Sequence, residues 1–297
     1  MLIRTANPND APKIARFYPR CPYSFFRASH SDLEILCSSV PFWVAEKEGQ
    51  IVGFVFSSNY NQDYTWISGL AIPTRYDKSN VGRSLVGNLE RHFHSSTQTI
   101  AVWETPRTKK WTGNLFLRPE YQSLCEIVAF EIQLPASGDN KRIVDSEQIR
   151  IATEKDEKLI RAIDAATFPP LFRYSPTAFN IMFKTASIRL LAINGGTGNP
   201  IGFLIANIFP SGLGNVARIA VLPDFRCKGV GAKLLMNCNV KMANRGVRLV
   251  TLNTQKDNEP SRALYHKLGF YQTNTETILG KQLNKTGEKS IMNGCMD

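Results

Sequence analysis

The sequence predicts an α+β (mixed α/β) chain of two tandem domains of one kind, each a mainly antiparallel mixed sheet flanked by helices. Two observations carry most of this. First, the chain repeats itself: Ile3-Arg4-Thr5-Ala6, Asp10 and Ile14 recur 146 positions later as Ile149-Arg150-Ile151-Ala152, Asp156 and Ile160. From Gly53-Phe54 onward the shift is 149, carrying Gly53-Phe54 onto Gly202-Phe203, Ala71 onto Ala220, Tyr76 onto Phe225, Val81-Gly82 onto Val230-Gly231 and Leu85 onto Leu234 without a gap. Self-similarity of this kind is the mark of a repeated structural unit. Second, 297 residues with 43% hydrophobic content suffice for two cores of ordinary size. The expected division is 1–134 for the first copy, 135–148 for a polar linker, 149–281 for the second copy and 282–297 for a polar tail.

The second copy can be read element by element. A strand at Ile149–Ala152 precedes a helix from about Asp156 to Thr167. Ser175-Pro176 places a capping hydroxyl before a proline at the first helical position and starts a short helix ending near Lys184. The apolar runs 188–194 and 201–208 are strands joined by the turn residues Gly-Gly-Thr-Gly-Asn-Pro. A strand at 216–222 leads into a helix that runs to about Asn244, where Gly246 breaks it. Val247–Thr254 is the next strand. Asp257 or Asn258 caps the last helix, Pro260 lies in its first turn, and Gly269 ends it before a final strand from Phe270. The first copy follows with a helix at about 80–94 and strands near 99–104 and 125–134.

Between the strand at 216–222 and its helix stands Arg226-Cys227-Lys228-Gly229-Val230-Gly231-Ala232. Glycines at 229 and 231 let backbone approach a ligand with no Cβ in the way, and the free N–H groups and positive end of the new helix favour phosphate. Downstream lies Asn258-Glu259-Pro260-Ser261-Arg262-Ala263-Leu264-Tyr265-His266-Lys267-Leu268-Gly269-Phe270. Together the two segments resemble the GNAT acyl-CoA N-acetyltransferase family. Its signature pairs an Arg/Gln-x-x-Gly-x-Gly/Ala loop with a later helix that carries Asn and Tyr and ends in Gly-Phe. The resemblance covers the second half of the chain directly and makes the whole a tandem arrangement with a degenerate first copy.

Register 149 shows what the first copy lacks. Arg226 corresponds to Asp77, Gly229 to Asn80, Asn258 to Lys109 and Tyr265 to Phe116. Aspartate in a phosphate-facing loop repels the ligand, Asn80 adds a side chain where close approach is wanted, and Phe116 has no ionisable proton.

The resemblance implies an acyl-CoA-dependent N-acetyltransferase that moves an acetyl group from acetyl-CoA to a primary amine by direct attack in a ternary complex, active in the second copy. Backbone N–H groups of Cys227, Lys228, Gly229, Val230, Gly231 and Ala232 are expected to take the pyrophosphate, with charge from Arg226 and Lys228. Main-chain groups of Ile219 and Val221 are expected to pair with the pantetheine arm, and Asn258 to bond the cofactor, cap its helix, or both. Tyr265 is the family's general acid for the leaving thiolate. The strand Gly214-Asn215-Val216-Ala217-Arg218-Ile219 carries no carboxylate for the base, which leaves water, Glu154, Asp164, Glu276 or a group of the first copy. The acceptor is expected to be a small-molecule amine or amino-acid-like compound. The alternative is a module that binds acyl-CoA without chemistry.

Charge supports the asymmetry: the net charge is +2 over 1–134, −1 over 135–148 and +10 over 149–297. A basic field around the second copy suits a ligand with several phosphate charges. The Lys and Arg residues are scattered singly, with no run interleaved with aromatics, which argues against nucleic acid. No apolar stretch reaches the ~20 residues of a membrane span, and the N-terminus reads as a strand without a signal-peptide core. The six cysteines show no metal spacing, so no metal is expected, and reduced thiols in a cytoplasm are the simplest account.

Overall fold

The computed structural model describes residues 1–17, 30–72, 78–96, 99–104, 115–116, 118–135 and 148–283. Asp77, Lys109, almost all of the linker and the tail from 284 lie outside the described residues. The strands are β1 Leu2–Thr5, β2 Phe42–Lys47, β3 Gln50–Phe56, β4 Tyr64–Trp66, β5 Gly69–Ala71, β6 Thr99–Glu104, β7 Tyr121–Gln133, β8 Ile149–Ile151, β9 Ile188–Ile193, β10 Pro200–Ile208, β11 Leu213–Val221, β12 Leu249–Gln255 and β13 Tyr271–Gln282. The α-helices are α1 Ala11–Phe17, α2 His30–Ser39, α3 Lys78–Phe93, α4 Glu157–Thr167, α5 Pro176–Thr185, α6 Val230–Ala243 and α7 Glu259–Lys267.

The repeat read from the sequence has the same physical content in both copies. Arg4 grips Asp10 with two hydrogen bonds of 2.7 and 2.9 Å, and Arg150 grips Asp156 with two of 2.8 and 2.6 Å. Each pair ties the first strand to the turn that starts the first helix. Burial pushes the Asp10 carboxyl up, but its bonds from Arg4 and from the Asn7 N–H hold it below the usual carboxylate range. The guanidinium of Arg150 holds Asp156 well below that range. Further on, Gly53 and Gly202 are both pressed against a carbonyl across the sheet. A Cβ on Gly53 would lie 3.3 Å from the Ala71 oxygen, and one on Gly202 would lie 2.8 Å from the Ala220 oxygen. Ala71 and Ala220 are themselves related by 149.

The chain divides into two compact units, though not in chain order. Among the described residues, unit one comprises Met1–Cys125 with Glu276–Leu283, and unit two comprises Glu126–Thr275. The sequence boundary near 134 therefore does not coincide with the spatial one. In unit two the strand order is β8-β9-β10-β11-β12, completed by residues 126–133 of β7, which pair antiparallel with β12 from Ile127↔Gln255 to Gln133↔Leu249. In unit one, Thr277–Gln282 of β13 pair antiparallel with β6. Each unit is thus closed by the last strand of the other repeat. The pattern of a strand records which face is apolar, not which neighbour it joins, so this exchange is not legible from periodicity.

Unit two carries helices on both faces of its sheet. α6 and α7 cover one face, with Leu234, Leu235, Cys238, Met242 and Tyr265 against Leu204, Val216, Val250 and Leu252. α4 and α5 cover the other, with Ile160, Ile163, Phe179 and Phe183 against Leu191, Phe203 and Ile205. Phe130, fully buried, belongs to the first of these cores although its sequence is the end of the first repeat. We expect Phe130→Ala to cost about 3–5 kcal/mol of stability and to speed amide exchange along Leu249–Gln255. Urea unfolding followed by exchange on that strand checks it; unchanged protection there would contradict the exchanged pairing.

Candidate active site

β11 makes the site possible by leaving its neighbour. It pairs parallel with β12 at Leu213, Gly214 and Asn215 only, and antiparallel with β10 along its whole length. At the last shared rung, Asn215 Nδ2 donates to Thr251 Oγ1 at 3.0 Å. Beyond that point the strands part, and one edge of β11 opens. The Leu222 N–H bonds the Ile201 carbonyl at 2.9 Å on the β10 side. In an antiparallel ladder the inward-bonding residues alternate, so Ala220 also turns to β10 while Ile219 and Val221 turn their main-chain groups to the open edge.

A bulge sets the faces of the same strand. The register slips between Ile205↔Arg218 and Ala206↔Val216, which leaves Ala217 as the extra residue. A bulge of one residue inverts the two-residue alternation. Val216, Ile219 and Val221 accordingly face α6, whereas Arg218 and Ala220 face α4 and α5.

After β11 the chain turns through Pro223–Phe225 into the cradle. Cys227 and Gly229 both take left-handed backbone, at φ 58° and 78°. Gly229 is the N-cap of α6, and the first helical bond runs from the Lys233 N–H to the Gly229 carbonyl at 3.0 Å. The N–H groups of Val230, Gly231 and Ala232 precede that bond and have no carbonyl four residues back in the helix. A Cβ on Gly231 would stand 3.2 Å from Leu264 of α7.

The cradle, the open edge of β11 and the start of α7 enclose a cleft of about 720 Å³. Of the residues expected from sequence, Ile219, Val221, Arg226, Cys227, Gly229, Val230, Gly231, Ala232, Asn258 and Tyr265 line it. Lys228 does not; its ammonium lies 5.4 Å from the centroid of the Phe225 ring. Arg226 is on the wall but folds back, donating from Nε to the Val221 carbonyl at 3.1 Å. The N–H of Val221 rather than its carbonyl is therefore the group left at that edge. Asn258 caps α7, its side chain accepting from the Ser261 N–H at 3.2 Å.

Tyr265 is 3% exposed, and burial pushes its phenol up to about 12, opposed by a hydrogen bond with Ser261 one helical turn back. Its ring packs edge-on against Phe130 at 5.4 Å and beside Phe270 at 6.1 Å. In the first copy the equivalent positions are Phe116 and Tyr121, 5.1 Å apart, so the hydroxyl has changed rings. There it donates to Glu90 at 2.8 Å. Asn80, at the position of Gly229, is exposed on α3.

The candidate bases separate. Asp164 is locked to Arg218 at 2.6 Å, Glu154 is exposed in the turn before α4, and Glu276, in unit one, accepts from Trp103 Nε1 at 2.6 Å. Burial pushes the Glu276 carboxyl up. The one carboxylate among the described residues lining the cleft is Asp257. Sequence reasoning missed Thr167, Phe168 and Pro169, which form a further part of the wall, together with Ser261 and Leu264. Ser261 lies four residues before Tyr265 on the same helical face, so the pattern around the tyrosine held a signal for it, whereas Leu264, adjacent in the chain, held none by spacing. Thr167, Phe168 and Pro169 lie 57 to 59 residues before Arg226 of the cradle and held none. No group of His, Cys, Asp and Glu among the described residues is arranged to hold a metal.

A strand that splays from its neighbour, a glycine cradle opening a helix and a buried tyrosine on the next helix meet at one cleft. Comparison with known proteins gives the family. The model of the Acetyltransferase (GNAT) family matches residues 11–110 and again 156–270, and the chain belongs to that family. Family members are N-acetyltransferases that take acetyl-CoA as acyl donor. Among curated proteins, the N-alpha-acetyltransferase 30 of Schizosaccharomyces pombe is 35% identical over 57 residues, 19% of this chain and 38% of that protein. The chain thus spans well under half the length of that relative. Aminoglycoside N(6')-acetyltransferase type 1 of Acinetobacter genomosp. 13 is 28% identical over 113 residues, 38% of this chain and 69% of the relative. A solved tandem GNAT protein from the clavulanic acid biosynthesis pathway, 14% identical, superposes with a TM-score of 0.67 over 96% of this chain and 99% of its own, a likeness of fold. No helix among the described residues is long and apolar enough to cross a membrane.

Proposed function

We propose that the chain transfers an acetyl group from acetyl-CoA to the primary amine of a small molecule, by direct attack in a ternary complex, and that the cleft of unit two does this alone. The observation that carries the reading is the conjunction, on one cleft, of three helix-start N–H groups that precede the first i−4 helical bond and a buried phenol. The fit to acetyl-CoA is physical: Cys227 and Gly229 take left-handed backbone just before a helix start on the cleft, the kind of conformation in which successive N–H groups form anion-binding concavities. The N–H groups of Cys227 and of Gly229 to Ala232 would hold the pyrophosphate, and Arg226 would add charge at the rim. The open edge of β11 at Ile219 and Val221 would pair with the pantetheine amides as a partner strand does.

Acetyl-CoA supplies the activated thioester. The chain's part is to orient the thioester beside the acceptor nitrogen, to exclude water, and to manage two protons. Tyr265 donates its phenolic hydrogen bond to the departing sulfur. With the phenol at about 12 and a free thiol near ~8.5, complete transfer becomes favourable only as the buried sulfur loses its own hydration, which raises its proton affinity. The amine's proton leaves toward water, with Asp257 the carboxylate at hand.

The test is calorimetry with acetyl-CoA at two salt concentrations. Affinity is expected to fall as salt rises, because exposed charge pairs are screened over about 8 Å at physiological ionic strength. No heat and no thermal shift at millimolar acetyl-CoA would contradict the reading.

A further inference from the structure

We infer that Arg218 is a positioning residue that fixes the acceptor wall of the cleft, and that this wall selects a compact monoamine with an apolar body. The inference rests on the acetyl-transfer reading above. A guanidinium on a sheet strand is an expensive core residue unless its charge and its donors are all met. Here the charge and the donors of Nε and Nη2 are met by one segment. Arg218 Nε and Nη2 reach the two Asp164 oxygens at 2.6 and 3.0 Å, and Nη2 also donates to the Phe172 carbonyl at 2.6 Å. The planar group stacks 3.3 Å from the centroid of the Phe168 ring and 4.5 Å from that of Tyr174. Arg218 itself is 8% exposed. From the strand whose edge is to hold the cofactor, one side chain therefore pins both ends and the middle of residues 164–174. Phe168 and its neighbours Thr167 and Pro169 are the part of that segment on the cleft wall.

The fold does not require this clamp. At register 149 the first copy has Gly69, with the Phe56 ring pressed so close that a Cβ there would overlap it. The scaffold closes in unit one with no side chain at all where unit two has an arginine. The clamp goes with the copy that keeps the cradle and the tyrosine. It is also possible only because the bulge at Ala217 turns residue 218 toward α4.

The wall so held is apolar: Phe168 and Pro169, with the methyl of Thr167, face a cleft whose single described carboxylate is Asp257. Arg218 and Asp164 cancel each other and leave no charge for an acceptor. A polycationic amine would need several carboxylates, as each desolvated ammonium requires a partner; one ammonium on an apolar body needs one.

The test uses the full-length chain and three variants: Arg218→Met, Arg218→Lys, and the double Asp164→Leu/Arg218→Met, which removes the pair without stranding a buried carboxylate. Hydrogen exchange of residues 165–175 is read first. It is expected to rise by about tenfold in Arg218→Met and in the double variant, and by less in Arg218→Lys, which keeps the charge but loses the fork and the stack. The calorimetric affinity for acetyl-CoA is expected to stay within about twofold. Thiol release is then followed with tyramine, phenethylamine and kanamycin as acceptors. The monoamines are expected to give the higher kcat/KM, and Arg218→Met to raise the tyramine KM about tenfold with kcat little changed. Unchanged exchange in a folded Arg218→Met protein, or an unchanged tyramine KM, would overturn the positioning role. Preference for kanamycin, or no release with either monoamine while acetyl-CoA binds, would overturn the acceptor class. Failure of the unaltered chain to bind acetyl-CoA is seen separately by calorimetry and would bring down the reading beneath.

Discussion

Tyr265→Phe is expected to lower kcat by about 10²–10⁴ while leaving acetyl-CoA affinity nearly unchanged, since general acid catalysis is typically worth that much when chemistry limits turnover. The substitution isolates the hydroxyl. The ring's edge-on contact with Phe130 at 5.4 Å and its packing beside Phe270 at 6.1 Å need no oxygen, so the helix stays seated. The Ser261 hydroxyl loses one partner at the cleft surface, where water replaces it. Because burial holds the phenol at about 12, it stays protonated through the neutral range and well above it. The unaltered protein should therefore show no loss of rate from this group below about pH 11. Unit one is a natural version of the variant: Phe116 stands at the same register, and the neighbouring Tyr121 hydroxyl is spent on Glu90. A Tyr265→Phe protein as fast as the parent across pH would move the proton donor to another residue.

Gly231→Glu is expected to abolish acetyl-CoA binding. The new Cβ would come within 3.2 Å of Leu264, and a carboxylate would sit among the N–H groups meant for the pyrophosphate. Losing the anion contacts of a helix start and adding like-charge repulsion there both act against the same ligand. The matching glycine of the first copy is not a fair control. A Cβ on Gly82 would meet both Leu115 methyls at 2.9 Å and Ile72 at 3.1 Å, so a glutamate there disturbs a core and not a cradle. Gly87, on the same helix with open space around it, is the better place for the control charge. Gly87→Glu should bind acetyl-CoA as the parent does, at one molecule per chain. Retained binding in Gly231→Glu would show that the phosphates lie elsewhere.

The sequence made the repeat and the cradle legible because both depend on local spacing. Arg4 with Asp10 and Arg150 with Asp156 are six residues apart in each copy, and the glycines at 229 and 231 act through their own backbone. The expected helices and strands of unit two all formed, with helices on both faces of the sheet. What stayed hidden depends on neighbours distant in the chain. The run 125–134 reads as a strand whichever sheet it joins, and only packing puts Phe130 beneath Tyr265. Arg218 stood in the sequence only as part of a strand without a carboxylate; that it faces α4 follows from a bulge, which slips the alternation by one residue and leaves no mark in composition. Lys228 looked like a phosphate ligand by position, yet its side chain turns to Phe225. The missing strand carboxylate was visible, and its explanation was not: the position facing α4 holds a cation, and Asp164 neutralises that cation instead of serving the acceptor.

The most direct measurement of the central claim is mass spectrometry of a set of primary amines incubated with acetyl-CoA and the protein, read against free thiol in the same tube. Acetyl transfer at the unit-two cleft predicts an amide of at least one amine, one thiol released for each amide formed, and loss of both signals in Gly231→Glu but not in Gly87→Glu. Binding of acetyl-CoA with no amide from any amine would contradict it and make the chain a module that holds acyl-CoA without chemistry.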